Sequence, residues 1–212
     1  IGIMKTKPQF PINVGWIDAK LDKNHTDFLW KKIKESKKDN FKHTLAGNIS
    51  QSFEIEDTNH YFFKEVLSKL VIQYRQSFGK DPIRNQNLND NSLKLDGFWA
   101  NYQYQNEFNP YHHHGGVYSF AIWLKIPYHW KEQNQLPFLD GIKDTEKKAS
   151  LFEFEYTDPL GGIRNYGYRL DPSREGEMVF FPAALRHTVY PFYNTEEPRV
   201  SVSGNLWFSH ER

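Results

Sequence analysis

The chain has 212 residues, enough for one core and one domain, with Lys and Arg nearly balancing Asp and Glu at a formal net charge of +1. That balance argues against a strong electrostatic pull toward nucleic acid or an anionic membrane. Cysteine is absent, which excludes disulfides and thiolate chemistry and leaves His, Asp and Glu as the only metal donors. There is no apolar run long enough to span a bilayer and no signal-type opening. The expectation is therefore a cytoplasmic protein without a membrane partner, and nucleic acid is not an expected partner. Aromatics make up 17% of residues and gather in the last two thirds of the chain, where they suit sheet faces and pocket walls.

In chain order, Thr26 and Asp27 can cap a helix through Phe28, Leu29 and Ile33 to about residue 39. Asp57 or Thr58 can cap a second. Its apolar positions Phe62, Phe63, Val66, Leu67, Leu70, Val71 and Tyr74 keep a helical period, and Gly79 closes it. Residues 81–91, rich in Asn and Pro, read as a loop. The period then changes. Residues 93–104, 116–126, 150–156, 166–170, 177–181, 187–192 and 198–208 are short aromatic or β-branched runs bounded by Gly, Pro, Asn or Asp, and are predicted as strands. The charged stretch 127–149 reads as a long loop, of the kind that serves as a lid or substrate-binding segment.

Two helices followed by seven or eight antiparallel strands predict a mainly β fold, a jelly roll with helices on one sheet. We expect one domain over 1–212, with 1–92 as a helical support and 93–208 as the β core.

Three of the nine histidines stand in a row, His112, His113 and His114, just before a strand. Alternate side chains of an extended chain share a face, so His112 and His114 can point inward together while His113 turns away. His187 opens another strand after Met178–Phe181 and the turn at Pro182, and can supply a third ligand. On spacing alone, a solvated run of imidazoles and a metal site both fit. His25, His43, His60, His129 and His210 have no partner at a useful spacing and read as structural or surface residues. Twelve positions after His187 stands Arg199, opening a strand on which Arg199, Ser201, Ser203 and Asn205 share a face. A buried Arg needs an anion. Its planar fork suits a carboxylate, with Ser201 adding a hydrogen bond. Pairing with a protein carboxylate such as Glu177, or a place on an exposed edge, also fits.

These segments read Asn109-Pro110-Tyr111-His112-His113-His114-Gly115-Gly116-Val117-Tyr118, then Phe181-Pro182-Ala183-Ala184-Leu185-Arg186-His187, then Arg199-Val200-Ser201. Together, over residues 93–208, they resemble the 2-oxoglutarate and Fe(II)-dependent oxygenase superfamily, and within it the small prolyl-hydroxylase-like oxygenases. The resemblance implies a double-stranded β-helix fold and iron held by His112, His114 and His187. It implies 2-oxoglutarate anchored by Arg199 and Ser201, with Tyr104 and Asn205 as further contacts to the co-substrate or the ligands. Tyr102, Trp123 and Asn101 are candidates for the cavity wall. The implied activity is a dioxygenase, a hydroxylase of a small molecule or peptide, using 2-oxoglutarate and dioxygen, with ascorbate as reductant. One position departs from the wider family, where Asp or Glu stands at the place of His114. Three neutral imidazoles leave the iron with one more positive charge than two His and a carboxylate, which raises its potential and favours an anionic co-substrate. Two rivals are a three-His iron dioxygenase that needs no 2-oxoglutarate, and a non-catalytic jelly-roll binding or structural module.

Overall fold

The computed structural model describes residues 7, 15–36, 47–79, 81–82 and 92–209. The first strand is β1 (Ile17–Lys20), and helix α1 (Lys23–Glu35) follows it at once. Asp22, not Thr26 or Asp27, caps α1 by accepting from the His25 backbone N–H at 3.0 Å, so the helix starts earlier than the sequence pattern placed it. Residues 37–39 of the expected helix lie outside the described residues. A short β2 (Gln51–Glu54) comes next. Asp57 then accepts from the backbone N–H groups of Phe62 (2.7 Å) and Phe63 (2.9 Å). A π turn at Phe63–Leu67 runs into α2 (Ser68–Phe78), and Gly79 ends it at φ 79°, its N–H on the Arg75 carbonyl.

The remaining strands are β3 (Leu93–Gln103), β4 (Asn109–His112), β5 (Tyr118–Lys125), β6 (Phe152–Thr157), β7 (Ile163–Tyr168), β8 (Glu177–Pro182), β9 (Arg186–Val189) and β10 (Arg199–Phe208). They form a six-stranded sheet in the order β1-β8-β5-β10-β3-β2 and a four-stranded sheet in the order β4-β9-β6-β7, with every pair antiparallel. This is the expected mainly β jelly roll with N-terminal helices. The N-terminal region is more than a helical support, because β1 and β2 form the two edges of the large sheet.

Alternation along the strands divides the core in two. From β5, Phe120 and Ile122 join Val200, Val202 and Leu206 of β10 beneath the helices, against Leu29, Phe62, Leu67 and Tyr74. Ala121 and Trp123 face the other way, toward Phe152 and Phe154 of the small sheet. The odd-numbered side chains of β10 (Arg199, Ser201, Ser203, Asn205 and Trp207) all line a cavity of about 540 Å³ together with residues of the small sheet. A polar stripe in this cavity is thus carried by a strand whose even-numbered residues anchor the hydrophobic core.

Residues 127–149 are more ordered than a loop reading implies. Helix α3 (Trp130–Gln133) and two short 3-10 turns lie within them. The buried Gln133 amide donates to the Tyr193 carbonyl (2.9 Å) and accepts from its N–H (2.8 Å). Among the described residues, none from 127–149 lines the cavity, although Tyr128 hydrogen-bonds Arg199 on its wall. No described helix is long and apolar enough to cross a membrane.

Candidate metal centre and anion pocket

Strand pairing brings the histidines together. β4 and β9 run antiparallel with His112 directly opposite His187. His114 lies two residues past the end of β4, and its backbone N–H donates to the Ala183 carbonyl at 2.8 Å, in the turn that leads to His187. Trp207 packs flat beneath the next two residues. A Cβ at Gly115 would meet the indole at 2.8 Å, and one at Gly116 would meet the Leu206 carbonyl at 2.7 Å. Gly116 also has φ +95°, so glycine is required there on both counts.

The three imidazoles each offer one donor nitrogen, and these atoms lie within 4.8 Å of one another. The other nitrogen of each ring is engaged. Nδ1 of His112 faces the Pro110 carbonyl (2.8 Å), Nδ1 of His187 faces the Leu185 carbonyl (3.0 Å), and Nδ1 of His114 faces the Asn205 side-chain oxygen (2.9 Å). A carbonyl oxygen only accepts, so in each ring Nδ1 carries the proton and Nε2 keeps its lone pair. Burial disfavours protonation in all three. It lowers His112, brings His114 down to about 4 with help from the nearby His112 charge, and takes His187 well below its ordinary value. Three neutral, pre-oriented Nε2 donors on one wall of a cavity fit a divalent metal ion that keeps open positions for other ligands. No carboxylate belongs to this cluster. His113 is exposed at the rim, as its place between two inward neighbours requires. His25, His60 and His129 lie away from the cavity, while His43 and His210 lie outside the described residues.

The same cavity holds a buried cation. Arg199 is 2% exposed, on a central strand of the large sheet. Its guanidinium donates to the Tyr128 hydroxyl (2.7 Å), to Gln103 Oε1 and, at 3.5 Å, to the Ser150 carbonyl. All three partners are neutral. Glu177 pairs with Arg174 instead, at 2.7 Å, and among the described residues no carboxylate pairs with Arg199. Neither the edge position nor the protein ion pair weighed from sequence is therefore present. A buried guanidinium with neutral partners is a candidate site for an anion.

Ser201, Asn205, Asn101 and Trp123 line the cavity as expected. Tyr104 does not. It follows β3, where its backbone N–H is taken by the Glu107 carboxylate at 2.9 Å. Tyr102 packs on the helix side. Sequence reasoning missed Gln103 and Tyr128 around Arg199, and Trp99 and Ser119 around His114. Trp99 lies parallel to the His114 ring (17°, centroids 5.8 Å apart), and Ser119 donates to the same Asn205 oxygen at 2.5 Å. Only the strand register, which sets Arg199 opposite Gln103 and Asn205 opposite Ser119, exposes these partners.

The fold and the site together define a jelly-roll protein in which three histidine nitrogens that could hold a metal ion share one cavity with a buried arginine. Residues 97–205, just over half of the chain, match the family model described as putative 2OG-Fe(II) oxygenase, and the chain belongs to that family. Membership makes it an oxidoreductase by family and implies Fe(II) and 2-oxoglutarate. Among solved structures, an oxidoreductase of the 2OG-Fe(II) oxygenase family from Burkholderia pseudomallei shares the fold. It has 9% identity and a TM-score of 0.54, over 88% of this chain and 80% of that one. A prolyl-4-hydroxylase from Pseudomonas putida aligns at 12% identity and a TM-score of 0.48, over 94% of each chain. A Trichoplax adhaerens prolyl hydroxylase, in complex with a hypoxia inducible factor peptide fragment, aligns at 11% and 0.49, over 92% of this chain and 83% of that one. Among curated proteins, none matches this sequence.

Proposed function

We propose that the protein is a 2-oxoglutarate- and Fe(II)-dependent dioxygenase that hydroxylates a small-molecule or peptide substrate. The observation that carries this reading is the pairing, in one cavity, of three neutral Nε2 donors with a buried Arg199 that has no carboxylate partner among the described residues. His112, His114 and His187 would hold Fe(II), and Arg199 with Ser201 would hold the far carboxylate of 2-oxoglutarate. Bound iron supplies the activation of dioxygen that couples oxidation of 2-oxoglutarate to succinate and carbon dioxide with hydroxylation of a C–H bond.

The chain's part is placement and exclusion of water. The Nδ1 hydrogen bonds fix all three rings in the tautomer that presents Nε2. Gln103 and Tyr128 hold the Arg199 fork without neutralising it, so its charge stays available for a dianion. Trp123, Phe152 and Phe181 line the cavity beside these polar groups, and apolar walls strengthen electrostatic contacts made against them.

The test is succinate formation from 2-oxoglutarate with Fe(II), ascorbate and oxygen, in the absence of added substrate, beside His187→Ala and Arg199→Ala. The reading expects slow, iron-dependent succinate that both variants lose. Succinate that survives Arg199→Ala contradicts the anchor. Iron bound through His187 without any oxidation of 2-oxoglutarate favours a three-His dioxygenase of another kind.

A further inference from the structure

The three imidazoles are not held alike. His112 and His187 each direct Nδ1 at the backbone carbonyl two residues earlier, of Pro110 and Leu185, so their own strands set their tautomers. His114 alone is held by a side chain from a distant strand, Asn205 on β10, ninety-one residues further along. The Asn205 oxygen accepts twice, from His114 Nδ1 at 2.9 Å and from the Ser119 hydroxyl at 2.5 Å. Trp99 lies parallel to the His114 ring, with centroids 5.8 Å apart. His114 also stands where the wider family carries Asp or Glu. The one donor that changes the charge of the site is thus the one donor whose Nδ1 is held by a side chain rather than by its own backbone.

We propose that Asn205, itself fixed by Ser119, is a positioning residue that makes His114 a metal ligand and sets the charge of the site. This rests on the reading of His112, His114 and His187 as the metal ligands. The amide does two things. It accepts the Nδ1–H hydrogen bond, which keeps the proton on Nδ1 and leaves the His114 lone pair at Nε2 for the metal. As a neutral acceptor, it also adds no negative charge behind the imidazole, so the full dipositive charge of the metal is left for an anionic co-substrate. A carboxylate at the same place accepts the same two hydrogen bonds but adds a negative charge and loses the amide NH2 donor. It would make the imidazole more basic, hold the metal tighter and repel an anion.

The experiment compares wild type, Asn205→Asp, Asn205→Leu and Ser119→Ala by titration with Co(II), and then measures binding of 2-oxoglutarate to each Co(II)-loaded protein by calorimetry. The visible Co(II) spectrum reports the ligand field. Asn205→Asp is expected to bind Co(II) more tightly, to shift the visible bands, and to bind 2-oxoglutarate roughly tenfold or more weakly. Asn205→Leu is expected to lose about 10–100-fold in Co(II) affinity, with Asn205→Asp restoring it. Ser119→Ala should fall between Asn205→Leu and wild type, because the acceptor stays but loses its brace. Two results overturn the proposal. One is that Asn205→Asp and Asn205→Leu both match wild type. The other is that both lose Co(II) in step with a drop in melting temperature, which marks Asn205 as a packing residue only. If wild type itself fails to bind Co(II) through the three histidines, the ligand assignment is wrong and the proposal falls with it. That outcome differs from a failure confined to the Asn205 variants.

Discussion

Replacing Arg199 with Met separates stability from binding. In the protein without ligand, the guanidinium is buried among neutral oxygens, and replacing a buried charge by an apolar side chain of similar volume is often neutral or stabilising, by about 1–4 kcal/mol. The substitution also leaves Gln103 Oε1 and the Tyr128 hydroxyl without their donor, at a cost of about 1–3 kcal/mol for each group that stays buried and unpaired. Tyr128 can turn fully to the Ser150 carbonyl, 3.5 Å away, which softens that cost. The terms nearly cancel, so stability in urea is expected to move by no more than about 2 kcal/mol. Binding has no such compensation. A carboxylate on a buried guanidinium fork forms two charge-assisted hydrogen bonds worth about 1.5–3 kcal/mol each, so losing the fork should weaken 2-oxoglutarate by about a hundredfold to ten-thousandfold. Calorimetry with the Co(II)-loaded protein and urea unfolding of the metal-free protein give the two numbers. Arg199→Lys should keep the charge and recover only part of the affinity, because an ammonium does not reproduce the fork. The reasoning is refuted if Arg199→Met binds 2-oxoglutarate as wild type does. It also fails if the variant unfolds several kcal/mol more easily, since Arg199 would then be structural.

Acid should destabilise the metal-free protein. The folded state keeps His114 neutral down to about 4, with His112 and His187 also held below the ordinary value near 6.5. The unfolded chain therefore binds more protons across that window, and stability rises with pH there and is lost as pH falls. From pH 7 to 5, His114 alone should account for roughly 2 kcal/mol, read as a shift in urea midpoint that shrinks in His114→Phe. Saturating Co(II) or Zn(II), at a hundred times its dissociation constant, should stabilise wild type by about 2.7 kcal/mol, and a chelator should reverse this. His187→Ala should abolish the gain. Gly116→Ala forces a Cβ to 2.7 Å from the Leu206 carbonyl at a φ of +95° and should displace His114, cutting metal affinity more than its loss of melting temperature explains. Phe62→Ala, which empties a fully buried ring site under the helices, should cost about 3–5 kcal/mol and leave metal affinity unchanged.

Much of the fold was legible because the large sheet follows a period of two over long strands. β10 alternates Arg, Ser, Ser and Asn against Val, Val, Gly and Leu, and its polar face was readable before any neighbour was known. β1, β2 and β4 escaped notice because each has only four residues and lies at a sheet edge, where alternation has little length to show itself. Pro110 within β4 argues against a strand by its missing N–H, and only an edge position accommodates it. The three histidines and Arg199 were legible as a set because they lie at or near strand ends and alternate side chains share faces. Gln103, Tyr128, Ser119 and Trp99 come from other strands or from the segment 127–149, and their roles depend on register, which no local pattern encodes. Tyr104 shows the same limit in reverse. It lies one residue past Gln103, at the end of β3, and the cavity takes Gln103 while Tyr104 is left outside it.

The central claim is that His112, His114, His187 and Arg199 serve one site. A crystal structure of the protein prepared without oxygen, with Fe(II) and 2-oxoglutarate, tests it most directly. The account expects one iron on the three Nε2 atoms, the oxoacid end of 2-oxoglutarate on that iron, and the far carboxylate on the Arg199 guanidinium. Iron held by other side chains, or 2-oxoglutarate bound away from Arg199, contradicts it.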